Sequence, residues 1–193
     1  MAVSCAKATS CHHGSGSWVL AATSGLPRRS ASGQPAAVFE PDRFEFEGKM
    51  SEITKRWLSD ECRLEDGIYF PDDTFIPLGG HVPQLPRRPI DELLRTEPDA
   101  WESIYRGDPL AALPDHVVFG GETSWEGAGF LALVRASDRS LVWLLHSACS
   151  EPFRSASVQG SVLFATSGEG LSSSRWNIPL QSPWSLSHAA GEE

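Results

Sequence analysis

Apolar positions are sparse and aperiodic up to Lys49 and dense from Met50 onward. Before that point the longest apolar run is Trp18-Val19-Leu20-Ala21-Ala22, set among Ser, Ala, Gly and Pro. Five apolar residues neither span nor anchor in a bilayer. After it, Ser51 is an N-cap residue, and Ile53, Trp57 and Leu58 fall on one face. This predicts a first helix of about ten residues. Asp66-Gly67 marks a turn. Ile68-Tyr69-Phe70 and Phe75-Ile76-Pro77-Leu78 predict short strands around Pro71-Asp72-Asp73. The stretch 79–89, with Pro83, Pro86 and Pro89, reads as an extended loop.

Residues 91–106 are helical in pattern, with a break at Pro98. Leu93 and Leu94 face inward in the first piece. In the second, Pro98 suits a first helical turn, Asp99 and Glu102 suit the positive end of the dipole, and Trp101, Ile104 and Tyr105 form an apolar stripe. Gly107-Asp108-Pro109 stops it.

The remainder reads as β. His116 to Phe119 begins a strand ending at Gly120-Gly121. The runs 130–134 and 141–145 flank the polar Ser137-Asp138 as a hairpin. Both runs are apolar without alternation, which predicts central strands covered on both faces. Val158 to Ala165 and Trp176 to Leu180 supply two further strands, joined by a loop over 167–174. The expected fold is α+β, mostly antiparallel β-sheet with two to three helices in the N-terminal half. The expected organisation is a disordered leader over 1–49, a single domain over 50–188 and a frayed tail over 189–193, with fraying from about Ser185. No internal repeat is present, and no run nears the roughly 18 apolar residues of a membrane span.

The head matches no targeting signal well. Lys7 is separated from the short apolar run by Cys11, His12 and His13, and Arg28-Arg29 alone does not make an amphipathic transit peptide. Such a composition defaults to disorder. Glu47-Gly48-Lys49 must be encoded as a purine-rich run just ahead of the Met50 codon, resembling a bacterial ribosome-binding site. On that reading translation starts at Met50, and the head belongs to a start codon placed too far upstream.

Charge narrows the function. The chain carries −9, and residues 1–49 carry +1, so residues 50–193 carry −10. Phosphate contacts need Lys and Arg clusters. The only basic pairs after Met50 are Lys55-Arg56 and Arg87-Arg88, which disfavours a nucleic-acid partner. Cys5 and Cys11-His12-His13 lack the paired-knuckle spacing of a structural zinc module. Cys62 and Cys149 read as buried thiols of a reducing cytosol. No metal or cofactor is expected, and the expected compartment is the cytoplasm.

Two places could carry chemistry. The stretch 120–127 joins Glu122, Thr123, Ser124, Trp125 and Glu126 between glycines, and Glu122 with Glu126 could serve as an acid/base pair. The plainer reading is a solvated acidic loop; as a contact surface, Glu122, Trp125 and Glu126 are the candidate partner-binding residues. His146 ends a central strand near Ser147, Cys149 and Glu151, so a Cys149/His146 nucleophile pair is conceivable. Residues three apart on a strand point to opposite faces, which opposes it. His81 and His116 stand alone beside Pro-rich turns. The sequence lacks HExxH, GxSxG, a dinucleotide fingerprint and a P-loop.

The stretch 113–153 runs Leu-Pro, a strand ending in Gly, an acidic Gly loop, a tight apolar hairpin with a Trp, then Pro-Phe. It resembles the central part of small bacterial immunity-type proteins of the SMI1/KNR4 (SUKH) superfamily, which neutralise toxins by binding them. The resemblance implies a binding role and no catalytic residues. The chain departs from that family at its end, where 158–180 reads as β in place of a closing helix. Three functions follow as expectations: an immunity or inhibitor protein for a basic toxin, an adaptor domain of the same description, or a small hydrolase using Glu122/Glu126 or Cys149/His146.

Overall fold

A computed structural model of the protein describes residues 50–124 and 127–190, with the backbone alone at Leu171. They belong to one compact unit, Gly48–Glu193; the other unit, Met1–Glu47, lies outside the described residues.

The chain enters α1 (Glu52–Leu58), then β1 (Glu61–Arg63), β2 (Gly67–Phe70) and β3 (Thr74–Gly79). The two-residue strands β4 (Val82–Pro83) and β5 (Arg88–Pro89) precede α2 (Asp91–Thr96). Then come β6 (Trp101–Arg106), β7 (Ala111–Ala112), β8 (His116–Thr123), β9 (Gly129–Arg135) and β10 (Leu141–Ser147). The last strands are β11 (Phe153–Gln159), β12 (Val162–Ser167), β13 (Ser174–Pro179) and β14 (Ser187–Ala190), with 3₁₀ turns at Gly170–Ser172 and Pro183–Ser185.

Among the described residues the strands make two antiparallel sheets. The first runs β1-β6-β8-β9-β10-β2-β3-β4, with β5 beside β3 and β7 beside β8; the second runs β11-β12-β13-β14. The unalternating runs of β9 and β10 lie mid-sheet, as expected, because both faces are covered. On one face Leu131, Leu133, Trp143 and Leu145 pack with Phe153, Leu163, Trp176 and Ile178 of the second sheet. On the other, Phe130, Ala132, Val134 and Leu144 pack with Ile53 and Trp57 of α1, and Leu93 and Leu94 of α2 lie against them.

Ser51 caps α1 as its sequence suggests, its Oγ accepting the Thr54 N–H at 3.1 Å. A second cap comes from Asp73 in the β2–β3 turn. Its two carboxylate oxygens accept the N–H groups of Glu52 and Ile53, each at 3.0 Å. Asp73 adopts φ +59°, the left-handed region that Asp tolerates better than most residues. The helix buries Ile53 and Trp57 but leaves Leu58 54% exposed, so the apolar face is narrower than its spacing predicts.

Three differences from the sequence expectations have physical causes. Among the described residues there are two α-helices where up to three were expected, because residues 101–106 form β6. Glu102 and Ser103 pair with β1, while Ile104, Tyr105 and Arg106 pair with β8, so the segment gains ladder bonds on both sides. A helix of one or two turns has no comparable support, and Trp, Ile and Tyr suit a pleated surface. Second, the strand expected over 158–165 is two strands: Gly160 at φ +59° turns the chain, and Gln159 pairs back with Val162. Third, the segment after Ser185 is not frayed through Ala190, since β14 pairs with β13 from Ser187 to Ala190.

Close approach in the first sheet depends on Gly121. A Cβ there would stand 2.3 Å from the Tyr105 carbonyl oxygen on β6. Gly121→Ala is therefore expected to force β6 and β8 apart and to cost about 1–3 kcal/mol, the range for overpacking. Chemical denaturation measures this, and an unchanged midpoint would contradict the tight β6–β8 spacing.

Candidate functional site

Glu122 lies in β8, one residue from its end, and is a strand residue with a fixed direction. Its Cα partners are Tyr105 on β6 and Gly129 on β9. Directly opposed residues share a face of the sheet, so Tyr105 stands beside Glu122. Tyr105 is 58% exposed, while its neighbour Ile104 is buried. Arg154 of β11 approaches from the second sheet, its Nη2 3.5 Å from Glu122 Oε2, both side chains substantially exposed. Nearby, the Ser124 hydroxyl donates to the Glu102 carboxylate, and the Ser124 N–H donates to the Ser103 carbonyl at 2.9 Å. The result is an exposed tyrosine beside the Glu122 carboxylate; Glu102, two residues from inward Ile104, belongs to the other face of β6.

Trp125 and Glu126 lie outside the described residues. Of the three candidate binding residues the structure therefore places Glu122, and it adds Tyr105. The sequence assigns Tyr105 to a helix stripe with Trp101 and Ile104. The period-two alternation of Ile104 inward and Tyr105 outward appears only once the segment is known to be a strand.

The Cys149/His146 pair gains no support. His146 is fully buried, and its Nδ1 lies 3.2 Å from the Glu65 carbonyl oxygen. A carbonyl can only accept, so Nδ1 carries the proton. Nε2 is then the lone-pair nitrogen, buried and without a hydrogen-bond partner. The same Glu65 carbonyl accepts the Tyr69 hydroxyl at 2.7 Å. Burial holds the His146 imidazole below its usual value, against the pull of Asp66, whose Oδ1 lies 3.8 Å away. Burial raises the Asp66 carboxyl, opposed by the Ala148 N–H that it accepts and by His146. This is the chemistry of a neutral histidine built into the sheet, closed to substrate.

Cys62 is buried, and burial pushes its thiol well up, which makes it a poor nucleophile. Cys149 is half-buried. Among the described residues no group of three or more His, Cys, Asp or Glu side chains could hold a metal ion. Cys5, Cys11, His12 and His13 lie outside them. A groove of about 590 Å³ runs between α1 and α2, lined by residues including Lys55, Asp72, Asp91, Leu94 and Trp101. It contains none of the residues nominated from the sequence.

No protein-family model matches the chain, and no curated protein or solved structure matches it. No helix among the described residues is long and apolar enough to cross a membrane.

Proposed function

We propose that this domain is a protein-binding module for a basic protein, of the immunity or inhibitor kind. The observation that carries the reading is the lateral pairing of exposed Tyr105 with Glu122. An aromatic ring beside a carboxylate can bury area while the carboxylate meets Lys or Arg, and tyrosine is enriched among interface hot spots. The acidic excess lies in the same part of the chain. Residues 50–152 hold eighteen Asp and Glu against nine Lys and Arg, whereas residues 153–190 carry only Arg154, Glu169 and Arg175. The acidic field thus originates in the first sheet and its helices, and such a field steers cationic partners and raises encounter rates. Trp125 and Glu126 follow Glu122 closely in sequence and belong to the proposed contact. The resemblance of residues 113–153 to SMI1/KNR4-type immunity proteins points the same way. A cytoplasmic setting fits this role.

The test is affinity capture from the source organism, followed by association rates over a salt series. A partner with a basic surface is expected, with an on-rate that falls as salt rises. Tyr105→Ala with Glu122→Ala is expected to weaken binding at least about tenfold, equivalent to 1.4 kcal/mol. Arg154→Ala, which frees Glu122 from its surface ion pair, is expected to raise the on-rate. Salt-independent association, or full binding by the Tyr105→Ala/Glu122→Ala variant, would overturn the reading. A gene for a basic toxin domain adjacent to this one would support the immunity role specifically.

A further inference from the structure

Two histidines far apart in sequence meet against one tryptophan. His188 on β14 lies opposite Trp176 on β13, and its ring stands edge-on to the indole with centroids 4.6 Å apart. His81, in the turn between β3 and β4, meets the same indole at 4.9 Å. The two imidazoles lie against each other with centroids 3.9 Å apart. Trp176 is fully buried, its Nε1–H donating to Ser167 Oγ at 3.2 Å. His81 Nδ1 and His188 Nε2 are both buried, and neither has a hydrogen-bond partner. Ring contact thus ties the β3–β4 turn of the first sheet to the edge strand of the second.

A proton added to this pair has no good place. Charging an imidazole turns both its nitrogens into donors, and a buried donor without an acceptor is costly. A second proton would then set two cations one ring-stack apart. The charged groups around the pair give limited relief. Asp66, in the β1–β2 turn, faces His81 and favours its charged form. Asp66 is shared with His146 on β10, beside which Glu65 lies. On β13 the charged neighbour is Arg175, which is exposed and alternates to the face opposite Trp176. β14 carries no charged residue besides His188.

We propose that the His81–His188 stack is an acid-sensitive latch, and that proton uptake breaks the stack and releases β14 from β13 while the two-sheet core stays folded. β14 suits this role because it is four residues long, lies at the end of its sheet and is mostly exposed. Short edge elements with few buried contacts open at lower free energy than central strands. Release leaves the β13 edge unpaired from Ser174 to Asn177. Burial lowers both imidazoles, His81 in spite of Asp66, and His188, lowered by burial and by His81, falls to about 4. The sign follows from linkage. A histidine whose folded value lies below the ordinary 6.5 stabilises fully above that pH, and the contribution is lost as pH falls towards the folded value. The latch therefore loosens below about pH 6.5 and opens towards pH 4.

The experiment is NMR on the full chain from pH 7 to about pH 3.5, following histidine ring protons and amide exchange protection together. Both rings are expected to titrate below 6.5, His188 lower than His81. Protection factors over 187–190 are expected to fall at least about tenfold while those of β9 and β10 hold. His81→Phe/His188→Phe keeps both aromatic rings but takes no proton at either position, so its β14 protection is expected to be flat with pH. Equal loss of protection in β14 and β9, or a His188 midpoint at or above 6.5, would overturn the proposal. So would a folded His81→Phe/His188→Phe variant that loses β14 protection over the same range. Should that variant not fold, the wild-type titration decides alone.

Discussion

Trp143→Ala is expected to cost about 3–5 kcal/mol, the range for truncating a large core aromatic. Trp143 is 1% exposed and sits on β10, which pairs with β9 on one side and β2 on the other. Its indole fills the layer between the sheets, among Leu133, Leu145, Leu163 and Ile178. The indole Nε1–H also donates to the Leu180 carbonyl at 3.1 Å, tying the first sheet to the segment after β13. Alanine removes both the volume and the donor. Trp143→Phe refills most of the volume and should cost less. Denaturant midpoints with unchanged m-values check the pair. A loss below about 1 kcal/mol for alanine would place β10 away from the centre of the sheet.

The second large effect is at Arg63, which is fully buried on β1. Its Nε donates to Glu65 Oε2 at 2.8 Å, its Nη2 pairs with the other carboxylate oxygen, and its Nη1 donates to the Glu97 carbonyl at 2.8 Å. The guanidinium also lies over the Trp101 ring, 5.1 Å from its centroid. Glu65→Ala strands that cation; Arg63 is fully buried but the Glu65 side chain is 27% exposed, so the cost is expected at or below about 3 kcal/mol, the low end for breaking a buried pair. The double variant Arg63→Met/Glu65→Met should lose less than Glu65→Ala alone, because it removes the stranded charge along with its partner. The reverse order would mean that water reaches the guanidinium once Glu65 is gone.

Legibility in the sequence follows how local each determinant is. Ser51, the apolar runs of β9 and β10, and the helix from Asp91 are written in neighbouring residues, and the structure follows them. β6 is not, because the spacing of Trp101, Ile104 and Tyr105 suits a helix stripe equally well. What decides is pairing with Glu61–Arg63 and Gly121–Thr123, which no local window contains. The β11–β12 turn was readable, since Gly160-Ser161 between two β-prone runs is a hairpin signal. The candidate site was half visible. Glu122 stood out as part of an acidic Gly-flanked stretch, whereas Tyr105 was hidden by the helix assignment. His81 and His188 gave no sign of each other, because only the packing of one sheet on the other brings them together.

The cap that Asp73 lends to α1 bears on the order in which the domain assembles. Seven residues make a helix too short to persist alone in water. Two of its first N–H groups are satisfied by a carboxylate in a turn that forms only when β2 and β3 pair. The earliest element of the domain to leave the ribosome therefore has to wait for a hairpin synthesised after it. The full set of caps on α1 is thus completed only by a turn that lies later in the chain than the helix itself.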